Sequence, residues 1–281
     1  MSGLLVVGAL HWDVVVRAPR LPRVDETLKG QAVDYRFGGK GGNQALAAAR
    51  AGARTAFAGR VGADDPGRRM RAALVAAGVD VAGLQEGRGA SGMSVAITRG
   101  DGAYGAVIVS GENLAIDAAA LMVPKGCRMV LAQNEIAAAT LGLLPGLAQA
   151  AGAEFWLNAA PADDLPEGLL RQVDGLIVNR LEAGDLLGSA ALSPGEMVEG
   201  LSAMATRATV IVTLGEEGVA HAVPGGDPVI APARRVEVRS THGAGDMFAG
   251  SLAAAILRGD DVGAAVAFAQ ERAAALISSR R

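Results

Sequence analysis

The chain has 281 residues, of which 51% are hydrophobic and 20% charged, enough apolar material for a large folded core. Its formal net charge is −3 and no run concentrates the basic side chains, which excludes a nucleic-acid footprint. Every long apolar stretch is interrupted by charge before reaching about 18 residues, so no membrane span or membrane partner is expected.

A single cysteine, Cys127, rules out an internal disulfide and a cysteine-based metal site, and points to a reducing cytoplasm. Only three of the 26 basic side chains are lysines (Lys29, Lys40 and Lys125), so a lysine inside a motif is informative.

In chain order, residues 3–9 form a continuous apolar run without a basic leader, as expected of a first strand covered on both faces and not of a signal peptide. His11, Trp12 and Asp13 follow its C-terminal end, where open α/β sheets place their ligand crevice. Residues 14–17 and 26–35 read as short strands split by Pro19 and Pro22, too polar for a central sheet. With 92–98 and 104–109 they are expected to form an accessory β-lid spanning about 14–36 and 92–110.

Phe37-Gly38-Gly39-Lys40-Gly41-Gly42-Asn43-Gln44 is a glycine-dense loop running into an Ala-rich helix that ends at Gly52. It lacks the spacing of a P-loop, and no G-x-G-x-x-G dinucleotide fingerprint follows a strand. Lys40 and Asn43 offer donors suited to sugar or carbonyl oxygens.

Strands and helices then alternate, the pattern of a parallel βαβ sheet. Strands are expected at 55–60, 129–132, 154–157, 175–178, 209–213 and 218–223, and helices at 65–77, 136–151, 182–187, 194–206 and 262–277. Polar residues close four strands in succession: Gln133-Asn134-Glu135, Asn158, Asn179 and Thr213. Placed on one sheet edge, they outline a crevice. The whole chain, 1–281, reads as one α/β domain with a β-lid.

Near the end, a β-like run at 235–239 stops at Ser240-Thr241-His242, and Gly243-Ala244-Gly245 lead into a helix headed by Asp246 and running to 257. Bare backbone N–H groups at a helix start attract anions. Asp246 beside such a site either caps the helix or accepts a proton from a hydroxyl attacking a phosphoryl group. His221, in a strand near the surface, reads as structural and His242 as a turn residue.

Together, 37–53 and 241–250 resemble the N- and C-terminal signatures of the ribokinase-like (PfkB) carbohydrate and nucleoside kinases, and Asn179-x-x-Glu182 and Thr213-Leu214-Gly215 also fit. The resemblance covers nearly the whole chain. It implies a three-layer α/β sandwich with a mostly parallel central sheet and a small β-sheet lid. It also implies transfer of the γ-phosphoryl group of ATP to a primary hydroxyl of a small sugar, first among them ribose. A nucleoside or another furanose is the alternative acceptor, and a non-catalytic sugar or nucleotide sensor the alternative of another class.

Residue by residue, the resemblance makes Asp246 the catalytic base and Gly243, Ala244 and Gly245 the anion hole. Asp13, Gly39, Lys40, Gly41, Gly42, Asn43 and Glu135 become sugar contacts. Asn179 positions nucleotide phosphates, Glu182 holds the water shell of Mg²⁺, and Thr213, Leu214, Gly215, Glu216, Glu217 and Gly218 form the nucleotide loop.

Three departures stand out. Ser240 occupies the place of an Asp that helps relatives hold a monovalent cation, and the chain stops at Ser278-Ser279-Arg280-Arg281, without the loop completing that site. Little dependence on K⁺ is therefore expected. His11 replaces an Asn before the sugar-binding Asp, and is either a sugar contact or a turn residue packed on Trp12. The exposed lid strands point to a homodimer formed edge to edge.

Overall fold

A computed structural model describes residues 3–99 and 104–279. Positions 100–103 of the expected lid and the terminal Arg280-Arg281 lie outside the described residues, as do Met1 and Ser2. The body contains β1 (Leu4–Val7), and the chain then leaves it for β2 (His11–Arg17) and β3 (Ala32–Gly38) of a second sheet. It returns through α1 (Lys40–Arg50), β4 (Thr55–Gly62), α2 (Asp65–Ala76) and β5 (Asp80–Gly87). A second excursion makes β6 (Met93–Thr98) and β7 (Tyr104–Val109). The remainder is β8 (Met129–Gln133), α3 (Ala138–Leu141), α4 (Leu144–Ala150), β9 (Glu154–Asn158), β10 (Gly175–Asn179), α5 (Arg180–Leu187) and α6 (Pro194–Met204). It ends with β11 (Thr209–Thr213), β12 (Val219–Ala222), β13 (Val229–Ala231), α7 (Ala244–Arg258) and α8 (Val262–Ser278).

The body sheet has nine strands in the order β13-β12-β11-β10-β9-β8-β1-β4-β5, parallel from β11 to β5 and closed by two antiparallel strands. Alternate side chains sort into two cores, as the two-residue period of a strand requires. Leu5, Val7 and Val130 pack with α4 and α6 through Leu144, Ala148, Val198 and Leu201. Leu4, Val6 and Met129 pack with α1, α2, α7 and α8 through Ala45, Leu74, Leu252 and Val266. Helices on both faces make the expected three-layer sandwich.

The lid is a four-stranded sheet, β3-β2-β6-β7. Its register puts Val14 beside Tyr35 and Val95, and Val95 beside Val107, on one face. Asp13, Arg36 and Ser94 are register partners on the other. Where the chain first crosses to the lid, Asn113 accepts from the Leu10 N–H and donates to the Leu10 carbonyl, both at 2.9 Å.

Several expected elements change. The strand read at 26–35 begins only at Ala32, and the preceding stretch is held by an Arg20–Glu26 ion pair. The helix read over 136–151 is two: Pro145 cannot bond back to Leu141 and its ring clashes with that carbonyl, so α3 stops there and α4 starts anew. The 235–239 run forms no strand; its alternating Val236 and Val238 stay exposed, and the N–H groups of Arg239 and Ser240 bond to Ile277 at the end of α8. Strands β5 and β13, both too polar or too short to be read, complete the sheet edges. His221 is buried in β12, not near the surface.

Candidate active site

Two helix starts meet at the C-terminal edge of the body sheet. Gly39 precedes α1 with φ of 84° and Gly243 precedes α7 with φ of 77°, a left-handed conformation in which a side chain is strained. The helices themselves touch at Gly250, where a Cβ would lie 2.3 Å from the Gln44 carbonyl oxygen. That close approach, one turn past Asp246, brings α1 side chains onto the Asp246 carboxylate.

Asn43 Nδ2 donates to one Asp246 oxygen and Gln44 Nε2 to the other, each at 3.1 Å. The carboxylate is half-buried, walled by protein on all but its cleft side. Burial raises its pKa to about 6, against the opposing pull of the Gln44 and Asn43 hydrogen bonds and the Lys40 charge. No side chain among the described residues caps α7, which suits an anion site, although the Ala244 N–H bonds back to the Thr241 carbonyl at 3.1 Å. Of the three backbone donors expected to be bare, Ala244 is thus engaged.

A cleft of about 190 Å³ opens beside Asp246, lined by Lys40, Asn179, Glu182, Thr213, Thr241 and the Gly243–Gly245 turn, among others. The polar ends of β9, β10 and β11 therefore share one edge, through Asn158, Asn179 and Thr213, and Glu135, just past β8, joins them through Lys40. Lys40 Nζ donates to Glu135 Oε1 at 2.8 Å. Burial opposes the Lys40 charge, but Glu135, with Asp246 and Glu182 behind it, holds its pKa above the ordinary value.

Asn179 and Glu182 form a capping box on α5: each side chain bonds the other's backbone N–H, at 2.9 and 2.8 Å. Burial raises the Glu182 pKa, with the Asn179 bond opposing. Beyond Thr213, Leu214 is buried, Gly215, Glu216 and Glu217 form an exposed turn, and Gly218 closes it by accepting from the Leu214 N–H. Glu217 lies 2.7 Å from Arg180. None of these five lines the cleft directly.

On the lid side, Asp13 is buried and accepts from Ser94 Oγ at 2.6 Å. A Cβ at Gly38 would sit 2.1 Å from its other oxygen, so the glycine leaves that carboxylate room. Gly41 and Gly42 are buried in the first turn of α1. His11 is a strand residue, not a turn, and alternation directs it away from Trp12. It is buried, and its Nε2 has no hydrogen-bond partner among the described residues.

The sequence pattern assigns no role to Gln44 in the glycine-dense loop, and the structure puts it in contact with Asp246. Its signal was a long polar side chain on the helix face that Gly41, Ala45 and Ala48 turn toward the core.

The pfkB family carbohydrate kinase model matches residues 1–281, and the chain belongs to that family. Within the family, ribokinases are among the proteins it is similar to. The chain is 30% identical to ribokinase of Haemophilus influenzae, over 99% of this chain and 92% of that one. It is 31% identical to ribokinase of Bacillus subtilis, over 99% and 94%. Among solved structures, Arabidopsis thaliana ribokinase complexed with ribose and ATP superposes with a TM-score of 0.89 at 26% identity, covering 100% of this chain and 94% of that one.

Proposed function

We propose that the chain is an ATP-dependent ribokinase, forming ribose 5-phosphate. The observation that carries this reading is Asp246: a carboxylate tuned to about pKa 6, held by one amide on each oxygen, at an uncapped helix start. A base near neutrality can take a proton without holding it too weakly or too tightly. The full-length likeness to ribokinases supports ribose as the acceptor.

In the proposed reaction, Asp13, Lys40, Asn43 and Glu135 orient the sugar so that its primary hydroxyl lies against Asp246. Asp246 accepts the hydroxyl proton as the oxygen bonds to the γ-phosphorus, and the bond to the ADP oxygen breaks. Backbone N–H groups at the start of α7 and its dipole stabilise the charge that spreads over the phosphoryl oxygens. Asn179 and the 213–218 turn would seat the nucleotide. No group of three or more His, Cys, Asp or Glu side chains that could hold a metal ion occurs among the described residues. Glu182 and Asn179, both lining the cleft, would hold a Mg²⁺ that arrives on the nucleotide with most of its water, by bonding that shell. Bound there, the ion would neutralise phosphate charge.

We further infer a homodimer, formed through a lid face and not its edge. Val33, Tyr35, Val107 and Val109 are each at least half exposed on that face, an apolar patch that a second copy would cover. A cytoplasmic location fits the single buried thiol of Cys127; no helix among the described residues is long and apolar enough to cross a membrane.

The deciding experiment is ADP release measured across ribose, deoxyribose, fructose and nucleosides. Ribose is expected to give the highest kcat/KM. A nucleoside in first place would move the acceptor, and thermal shifts with no turnover on any substrate would make the protein a sensor.

A further inference from the structure

A chain of neutral amides runs behind the candidate base. Its far end is the Ile177 carbonyl, which can only accept. Asn158 Nδ2 donates to that carbonyl at 3.0 Å, which leaves Asn158 Oδ1 facing Gln44. Gln44 must meet this oxygen with Nε2, at 2.8 Å, and the second Nε2 hydrogen then reaches Asp246 Oδ1 at 3.1 Å. On the other side Gln44 Oε1 accepts from Gln133 Nε2 at 2.6 Å. Both glutamines are fully buried, and Asn158 nearly so.

An isolated glutamine amide can be turned over with little change in shape, because its oxygen and nitrogen are nearly isosteric. Turned over here, Gln44 would set oxygen against the Asp246 carboxylate, oxygen against Asn158 Oδ1, and nitrogen against the nitrogen of Gln133. We propose that Asn158 and Gln133 are positioning residues, which lock the Gln44 amide in the one orientation that donates to Asp246 and so aim the base at the acceptor hydroxyl.

Two further observations support this. Gln133 Oε1 is buried with no hydrogen-bond partner among the described residues, an arrangement that costs stability while its Nε2 is spent on Gln44. Space is also kept for it: a Cβ at Gly8 would fall 2.1 Å from that oxygen. The chain is uncharged throughout, so it can orient Asp246 without competing for its proton. The charged groups acting on Asp246 are Lys40 on α1 and Glu135 after β8.

The inference rests on Asp246 being the base, and the test separates the two claims. Gln44→Met and Gln133→Met keep length and apolar volume while removing the donors. With ribose and ATP, Gln44→Met is expected to lower kcat about 10- to 100-fold while both KM values stay within about threefold. The acid limb of its kcat/KM profile should move to higher pH, because a donor to the carboxylate is lost. Gln133→Met, which does not touch Asp246, should move both quantities in the same directions by less. Wild-type kcat and an unmoved limb in folded Gln44→Met would overturn the proposal. If that variant does not fold, Gln133→Met decides alone, and loss of cooperative melting in both would make the network purely structural. Full activity in Asp246→Asn would instead sink the base assignment.

Discussion

Lys40 and Glu135 meet twice. The ammonium of Lys40 donates to one carboxylate oxygen and its own backbone N–H to the other, both at 2.8 Å. A single side chain thereby fixes the start of α1 and the direction of the cation beside the cleft. The two charges act on Asp246 with opposite sign, Lys40 lowering its pKa and Glu135 raising it. Lys40→Met should therefore move the acid limb of kcat/KM to higher pH, and Glu135→Gln should move it lower. Both variants should raise the sugar KM, by about tenfold. Limbs that move in the same direction would refute the arrangement.

Asp246→Asn should remove activity and add stability. Loss of a positioned base costs about 10²- to 10⁴-fold in kcat. The folded pKa, about 6, lies above the ordinary 3.8. Between those values the folded state keeps a proton that the unfolded chain has released. The contribution of Asp246 is thus most favourable below pH 4, and is lost as pH rises through 6. At pH 8 the Asn variant should be more stable by on the order of 1–3 kcal/mol, and near pH 4 the difference should shrink. Melting temperatures at the two pH values check this; a difference independent of pH would contradict it.

Gly250 sets the distance between α1 and α7. A Cβ there would stand 2.3 Å from the Gln44 carbonyl and 2.7 Å from the Ala47 side chain. Gly250→Ala should cost about 1–3 kcal/mol by forcing the helices apart. It should also lower kcat, because Asn43 and Gln44 would be drawn off Asp246. Denaturant unfolding and steady-state kinetics on one preparation test the coupling; lost stability with unchanged kcat would break it.

Ser240 is exposed and its hydroxyl accepts from the His242 N–H at 3.4 Å. A neutral hydroxyl is a weak ligand for a hard cation. Replacing K⁺ by tetramethylammonium should change kcat by less than about twofold, and Ser240→Asp should introduce a dependence. A steep rise in wild-type kcat with K⁺ would show the site to be intact.

The lid face gives a hydrodynamic prediction. Tyr35 and Val107 are 62% and 66% exposed. Wild type should sediment as a dimer at micromolar concentration, and Val107→Glu as a monomer, since a charge would have to be buried within the contact. A wild-type monomer would refute the contact.

Much of this was legible in the sequence where one local rule was enough. The apolar strands β1, β8, β10 and β11 announced a parallel sheet, and the polar residues ending them marked the edge that holds the cleft. Asp246 was visible because three residues with almost no side chain precede it. What could not be read depended on distant partners. Val236 and Val238 alternate as a strand would, yet they stay exposed and pair with no strand among the described residues. Asn179 and Glu182 were read as ligand residues, and their spacing also makes a helix cap, a local role that sequence alone does not rank against the other. Gln44 became intelligible only once Gln133, Asn158 and Asp246, some 89 to 202 residues away, had been placed around it.

The Asn113 contacts with Leu10 bear on how the lid is held. Asn113 follows the last lid strand and Leu10 precedes the first, so the pair rivets the outgoing and incoming chain at one point. A flap hung from loose threads could swivel and drift sideways. A panel pinned at that corner resists both, so Asp13, three residues beyond Leu10, keeps a set station relative to the body.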